Sequence, residues 1–243
     1  MQAESKVASF INSLKFQTSA SIFCLGYWFI WNSPFEFLPR LATLTVKVFD
    51  KISHLCTINL HLKSDSLAQV VSIVLLLALS FLCSQTRYTK TILRHLSWTP
   101  MFLLFAQLMI YGCAKIGGHQ FTPIALFQNT ANSEVQLWTW LSSHQSLVIV
   151  LGVIQVVSAL AILLFPNKSI IKLLVILIFS SILIINIWFE VSVIIHTMAL
   201  LLVSIYFFYN KDQTDRSKVS YFFQSISLSG IFIECGYLLG WYL

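Results

Sequence analysis

The sequence predicts an all-α integral membrane protein of about seven transmembrane helices, each needing ~20 mainly apolar residues to cross a bilayer core. Three observations carry that prediction. The 243 residues are 57% hydrophobic and only 10% charged, with mean hydropathy +0.81, whereas soluble domains carry about 25% charged residues. Apolar runs of membrane length recur along the chain and leave little sequence for a soluble domain. Lysine and arginine concentrate in alternate loops, the pattern that orients membrane helices. That pattern also accounts for the net charge of +6. In a soluble chain such a charge would point to nucleic acid; here the expected partner is the lipid bilayer, and no nucleic acid is expected.

The elements follow from the apolar runs. Residues 1–15 are a short polar lead, and 16–31 form the first span, dense in aromatics. A cleaved signal peptide needs a small-residue site after its apolar region. Asn32, Ser33 and Pro34 follow a bulky aromatic cluster instead, so the run is expected to stay as a helix with an aromatic belt at its outer end. Residues 34–66 do not span. Leu41, Leu44, Val48, Ile52 and Leu55 share one helical face and Arg40, Lys47, Asp50 and His54 the other, which predicts an amphipathic helix in the membrane surface or packed on the bundle.

Residues 67–83 form the second span, 85–96 a loop carrying Arg87, Lys90, Arg94 and His95, and 98–116 the third span. The connection 117–145 is polar and aromatic. Its Ser133-Glu134-Val135-Gln136 run reads as a capping box that opens a short interfacial helix, with Trp138 and Trp140 at headgroup depth. Spans at 146–165, 170–189, 191–209 and 221–242 complete the set, the first of them stopped by Pro166-Asn167. An N-terminus inside places ten of the 15 lysines and arginines on the inner side; the positive-inside bias therefore selects a cytoplasmic N-terminus and an outer C-terminus.

This topology gathers the polar residues of the spans in one layer toward the outer leaflet. Ionisable groups in hydrocarbon cost ~2.5–3.5 kcal/mol each on insertion scales and usually face the interior or a cavity. Lys115 with Glu190 makes one candidate charge pair, and His196 with Glu234 a candidate acid/base pair able to move a proton. The bland alternatives are that Lys115 snorkels to the headgroups, that Glu190 sits in an exposed turn, and that Gln155 and Asn186 are hydrogen-bond glue between helices. The five cysteines include no C-x-x-C pair, and Cys113 could meet Cys235 or Cys24. No clustered metal-ligand spacing, phosphate loop or nucleophile elbow is present, so no metal is expected.

Tyr111-Gly112-x-x-Lys115 followed by Gln120-Phe121 resembles the YG-x-x-K … QF segment of DoxX-like membrane proteins. The following parts agree in order: a polar outer connection, a helix with Gly152 near its start, a short turn at Phe165-Pro166-Asn167-Lys168, then Asn186, Trp188-Phe189-Glu190-Val191 and His196. The likeness covers about 98–209, the four-helix core of that family, and the N-terminal part looks like a longer subgroup with extra N-terminal spans. The chain departs from the family at Gln155, often a glutamate there, at Glu190, often an aspartate, and at Val193 and Ile194, where a second lysine is common.

The resemblance implies three parts: 1–97 with two spans and an amphipathic segment, 98–209 as the core, and 210–243 as a cytoplasmic linker and last span. It implies a subunit of a membrane redox complex, in a bacterial inner membrane, with quinone as the possible cofactor and protein partners in the complex. A polar pocket of Tyr111, Lys115, Gln120, Gln155, Asn186, Glu190, His196 and Glu234 would serve it. Whether the chain itself is an enzyme is left open. A non-enzymatic scaffold or assembly factor is the competing reading, and a small transporter or lipid-handling protein ranks last, because paired broken helices in matched halves are missing.

Overall fold

A computed structural model of the chain describes residues 13–32, 64–118, 133–191, 193–209 and 218–239. Among these residues the structure is helical, without strands. The helices are α1 (Leu14–Asn32), α2 (Ser64–Ser84), α3 (Thr89–Leu96), α4 (Thr99–Ile116), α5 (Ser133–Ser143), α6 (Gln145–Leu164), α7 (Ser169–Trp188), α8 (Ile194–Tyr209) and α9 (Lys218–Leu238). The expected surface helix at 34–66 lies almost wholly outside the described residues.

Among the described residues, three stretches are long and apolar enough to cross a membrane: Thr89–Ile116, Gln145–Leu164 and Ser169–Trp188. Shorter apolar stretches run over Ile73–Ser84, Ile194–Tyr209 and Ser227–Leu238. α1 has 19 residues, about 28 Å at 1.5 Å per residue, but Gln17, Thr18 and Ser21 on its buried face dilute its apolar character.

Burial separates the roles of the three long stretches. The hydrophobic window of Thr89–Ile116 is 72% buried, against 33% for α6 and 22% for α7. α4 is therefore the axis of the bundle. α1, α6, α8 and α9 pack around it, and Leu104, Phe105 and Ala106 are fully enclosed. Trp28 and Trp98 meet the Phe102 ring edge-on at 5.3 and 5.1 Å. The apolar side chains turned outward, such as Phe81 on α2, Leu164 on α6, Ile170 and Ile184 on α7 and Ile233 on α9, present hydrocarbon to the surroundings. That is the arrangement a bilayer solvates and water does not.

Of the stretch 85–96, expected as a loop, residues 89–96 fold as α3. Its Ile92, Leu93 and Leu96 are partly buried while Lys90 and Arg94 are exposed, so an amphipathic helix of about two turns gains packing against α1 and α9 without burying either of these charges. The break between α3 and α4 follows from Pro100, which has no N–H to give the Leu96 carbonyl. The Thr99 hydroxyl donates to that carbonyl at 2.9 Å, and it also lies 2.7 Å from the Ser21 carbonyl of α1.

Long helices that follow one another in the chain run antiparallel. Lys15 Nζ donates to Gln85 Oε1 at 2.8 Å, tying the start of α1 to the end of α2. Lys172 near the start of α7 lies 4.7 Å from the Phe207 ring near the end of α8. One end of the bundle thus holds Lys15, Arg87, Lys90, Arg94 and Lys168. The other holds the ends of α4 and α7, the starts of α6 and α8, and α5.

Candidate functional site

The site begins with a contact between two backbones. Gly112 on α4 and Gly152 on α6 face each other so closely that a Cβ on Gly112 would lie 2.9 Å from the Gly152 carbonyl oxygen, and one on Gly152 would lie 2.8 Å from the Gly112 oxygen. Small residues let membrane helices approach in this way. The crossing sets Lys115 against Gly152, whose added Cβ would lie 3.0 Å from the Lys115 Cβ.

Side chains on a helix lean toward its N-terminus, so the Lys115 chain runs back along α4 rather than out past its end. Its Nζ donates to Gln155 Oε1 at 3.0 Å and lies 5.8 Å from the Tyr111 ring, one turn earlier. The snorkelling alternative is thereby replaced by an interhelical bond, and the expected pairing with Glu190 is not the one formed.

His196 is the second centre. It is 2% exposed and sits between two tyrosines: Tyr27 Oη on α1 is 2.5 Å from its Nδ1, and Tyr111 Oη on α4 is 3.4 Å from its Nε2. The Tyr27 and His196 rings stack at 5.6 Å. Three helices, α1, α4 and α8, therefore meet in one hydrogen-bonded line. A third polar contact joins α7 to α8, where Asn186 Nδ2 donates to Thr197 Oγ1 at 2.8 Å.

These groups border a cavity of about 1150 Å³. Gln107, Tyr111 and Lys115 line it from α4, Gln155 from α6, Asn186 from α7, and His196 and Thr197 from α8. The rest of its lining is mainly leucine, isoleucine, valine and aromatic side chains, and no aspartate or glutamate is among the described lining residues. α5 covers the end: Leu137 is buried against the cavity, and the Ser133 hydroxyl donates to the Phe189 carbonyl at 2.9 Å.

The residues singled out from the sequence thus divide. Tyr111, Lys115, Gln155, Asn186 and His196 come together in this lining. Glu190 does not join them. It is exposed and forms the stop of α7 with a left-handed φ of 51°. Glu234 is exposed on α9 and lies outside the lining, so the expected His196–Glu234 pair gives way to the two tyrosines. Gln120 lies outside the described residues. Cys113 neighbours Cys235 of α9, both buried free thiols, and neither lines the cavity. Among the described residues, no group of three His, Cys, Asp or Glu side chains could hold a metal ion.

The sequence reading missed Tyr27, Gln107 and Thr197. Tyr27 falls in the aromatic-rich outer half of the first span and reads there as part of a belt, yet Gln17, Thr18, Ser21 and Cys24 precede it on the same buried face. A polar stripe at helical spacing on an otherwise apolar helix is the signal that could have found it.

Taken together, the fold and the cavity define an all-helical membrane-type bundle with a mostly apolar chamber and one polar end. No family model, curated protein or solved structure matches the chain.

Proposed function

We propose that this chain is a DoxX-like, seven-span, N-in subunit of a quinone-linked redox complex in a bacterial inner membrane, and that its chamber receives the quinone head group. One observation carries the reading. A lysine and a set of neutral hydrogen-bonding side chains gather at one end of an apolar chamber whose described lining holds no carboxylate. A neutral carbonyl-bearing head suits such a donor set, since Lys115 supplies a charged donor that strengthens as charge builds on an oxygen.

A quinone would supply two-electron redox chemistry, with the electrons coming from a partner. This chain's residues would orient and protonate. Lys115, held by Gln155, would bind one carbonyl oxygen, and His196, between Tyr27 and Tyr111, would hold a proton close to the chamber. By the positive-inside rule the polar end faces outward, because the basic residues collect at the opposite end.

The test is a gentle purification from native membranes, with bound small molecules and partners identified by mass spectrometry, followed by quinone-linked activity of membranes carrying Lys115→Ala and His196→Ala together. A co-purified quinone and a loss of activity support the reading. Unchanged activity sinks it.

The scaffold reading has one observation of its own. The polar groups already satisfy each other across helices, as in Lys115–Gln155, Asn186–Thr197 and Tyr27–His196, which is how helix glue would look. Partners without a redox centre, and only bulk lipid, would favour it.

A further inference from the structure

The chamber has a side, and its composition says what passes through it. Leu147, Leu151 and Ile154 line it from the first half of α6, and Leu177 and Ile185 from the middle and the second half of α7. None of these positions adjoins the Phe165–Lys168 turn that joins the two helices. All five residues are also exposed, at 40, 39, 44, 55 and 44%. A side chain that lines a chamber and also meets the surroundings stands at a mouth. Ser181 of α7 also stands there, its hydroxyl turned onto the Leu177 carbonyl at 2.8 Å; the mouth is otherwise apolar and lies on the two least buried of the three membrane-length stretches. Across it, on α4 and α8, stand Tyr111, Lys115 and His196.

We infer that the chamber takes a chain-bearing amphiphile sideways from the bilayer, with its head at Lys115–Gln155 and its hydrocarbon tail lying out between α6 and α7. The inference rests on the quinone-head reading above and adds the tail and the route. On this side a ligand arriving from water would have to cross a largely apolar rim, whereas a membrane-dissolved chain lies against it at no desolvation cost; the exposed Gln136 of α5 lies in another part of the lining. The volume points the same way, since about 1150 Å³ exceeds the ~300–1,000 Å³ of pockets that enclose a drug-sized molecule. Tail contacts supply affinity in proportion to area while the few polar groups orient the head.

The experiment uses the full chain in phosphatidylcholine nanodiscs and follows binding by tryptophan fluorescence, Trp138 and Trp140 being in the lining. The probes are decyl-ubiquinone and the same benzoquinone head without a chain. Leu151→Trp and Ile185→Trp narrow the mouth, and Leu151→Ala and Ile185→Ala widen it and check folding. Side entry predicts that the tryptophan variants weaken or slow decyl-ubiquinone binding by about tenfold and shift the tailless head by less than about twofold. The alanine variants would keep binding, and Lys115→Met would weaken both probes. Equal effects on the two probes, or none, overturn the inference.

If neither quinone binds, the quinone reading fails, and 16-doxyl-stearate then replaces it as the probe. An immobilised spin-label fraction that Leu151→Trp and Ile185→Trp abolish keeps side entry for a different head. The absence of any immobilised fraction overturns side entry as well.

Discussion

The glycine crossing of α4 and α6 offers the sharpest quantitative test, because two positions bear on one contact and a third serves as control. A methyl carbon on Gly112 would lie 2.9 Å from the Gly152 oxygen and 2.7 Å from Val156 Cγ2; one on Gly152 would lie 2.8 Å from the Gly112 oxygen and 2.9 Å from Ile116 Cγ1. Close carbon–oxygen contacts in packed helices run at about 3.3–3.6 Å, so each methyl forces the backbones apart by roughly 0.5 Å. The obstacle is main chain, which no rotamer change relieves. Overpacking of this kind costs about 1–3 kcal/mol, offset by up to about 1 kcal/mol from the better helix propensity of alanine.

Gly230 on α9 isolates the offset. A Cβ there meets nothing within 4 Å, so Gly230→Ala should be neutral or stabilising by up to about 1 kcal/mol. The expected order of stability in mixed detergent–SDS unfolding is Gly230→Ala at or above the unsubstituted chain, with Gly112→Ala and Gly152→Ala below it by about 1 kcal/mol. The double variant Gly112→Ala, Gly152→Ala should lose less than the sum, because one separation of the helices relieves both contacts. The same separation pulls Lys115 from Gln155, so a ligand held at that pair should be lost along with stability. If Gly112→Ala and Gly152→Ala unfold no earlier than Gly230→Ala, the close crossing is wrong, and with it the placing of Lys115.

Three further outcomes are expected. Glu190 carries φ 51°, with Val191 N–H on the Asn186 carbonyl and Glu190 N–H on the Ile187 carbonyl, a helix stop whose left-handed residue is usually glycine; Glu190→Gly should stabilise the protein by about 1 kcal/mol, and a loss of stability or of ligand binding would show that the carboxylate has a role beyond the turn. Tyr27→Phe removes the hydroxyl 2.5 Å from His196 Nδ1 and should cost about 1–3 kcal/mol in the same unfolding assay, whereas an unshifted midpoint would show that the bond contributes nothing. Cys113 and Cys235 are neighbouring buried thiols, so a membrane-permeant thiol oxidant should join α4 to α9 through these two residues and not through Cys24; peptide mass mapping after alkylation checks it, and a Cys24–Cys113 crosslink would contradict the packing.

The apolar runs fixed where the long helices lie, because membrane length and hydropathy are local properties of a sequence. α6 and α7 start and stop within a residue or so of the expected places, at punctuation that is chemically plain: Pro166 after α6 and the turn at Glu190 after α7. α3 was less legible, since a helix of 8 residues with Lys90 and Arg94 on it looks like a loop until α1 and α9 are there to cover Ile92, Leu93 and Leu96. α4 looked like any other span. Its central position is a property of the whole bundle, visible in the sequence only as Gly112 and in small or polar residues such as Ala106 and Gln107 where a lipid-facing helix would carry bulk.

The site was legible where rotation about a helix axis could be read, and it misled where only depth was read. Lys115, Gln155, Asn186 and His196 were grouped by their depth along the spans, and they also share inward faces. Glu234 has a comparable depth but the wrong rotation. Among the described side chains of α9, Gln224, Ile231, Cys235 and Gly236 are buried, with Leu228 partly buried between them, and Glu234 is turned outward. The same phase argument selects Tyr27 from the Gln17, Thr18, Ser21, Cys24 stripe and so supplies His196 with a neutral partner in place of an acid. The consequence for chemistry is direct. A buried histidine paired with a carboxylate would favour its charged form, whereas one set between two phenols exchanges hydrogen bonds without a fixed counter-charge, leaving Lys115 as the formal charge among the described residues of the chamber lining.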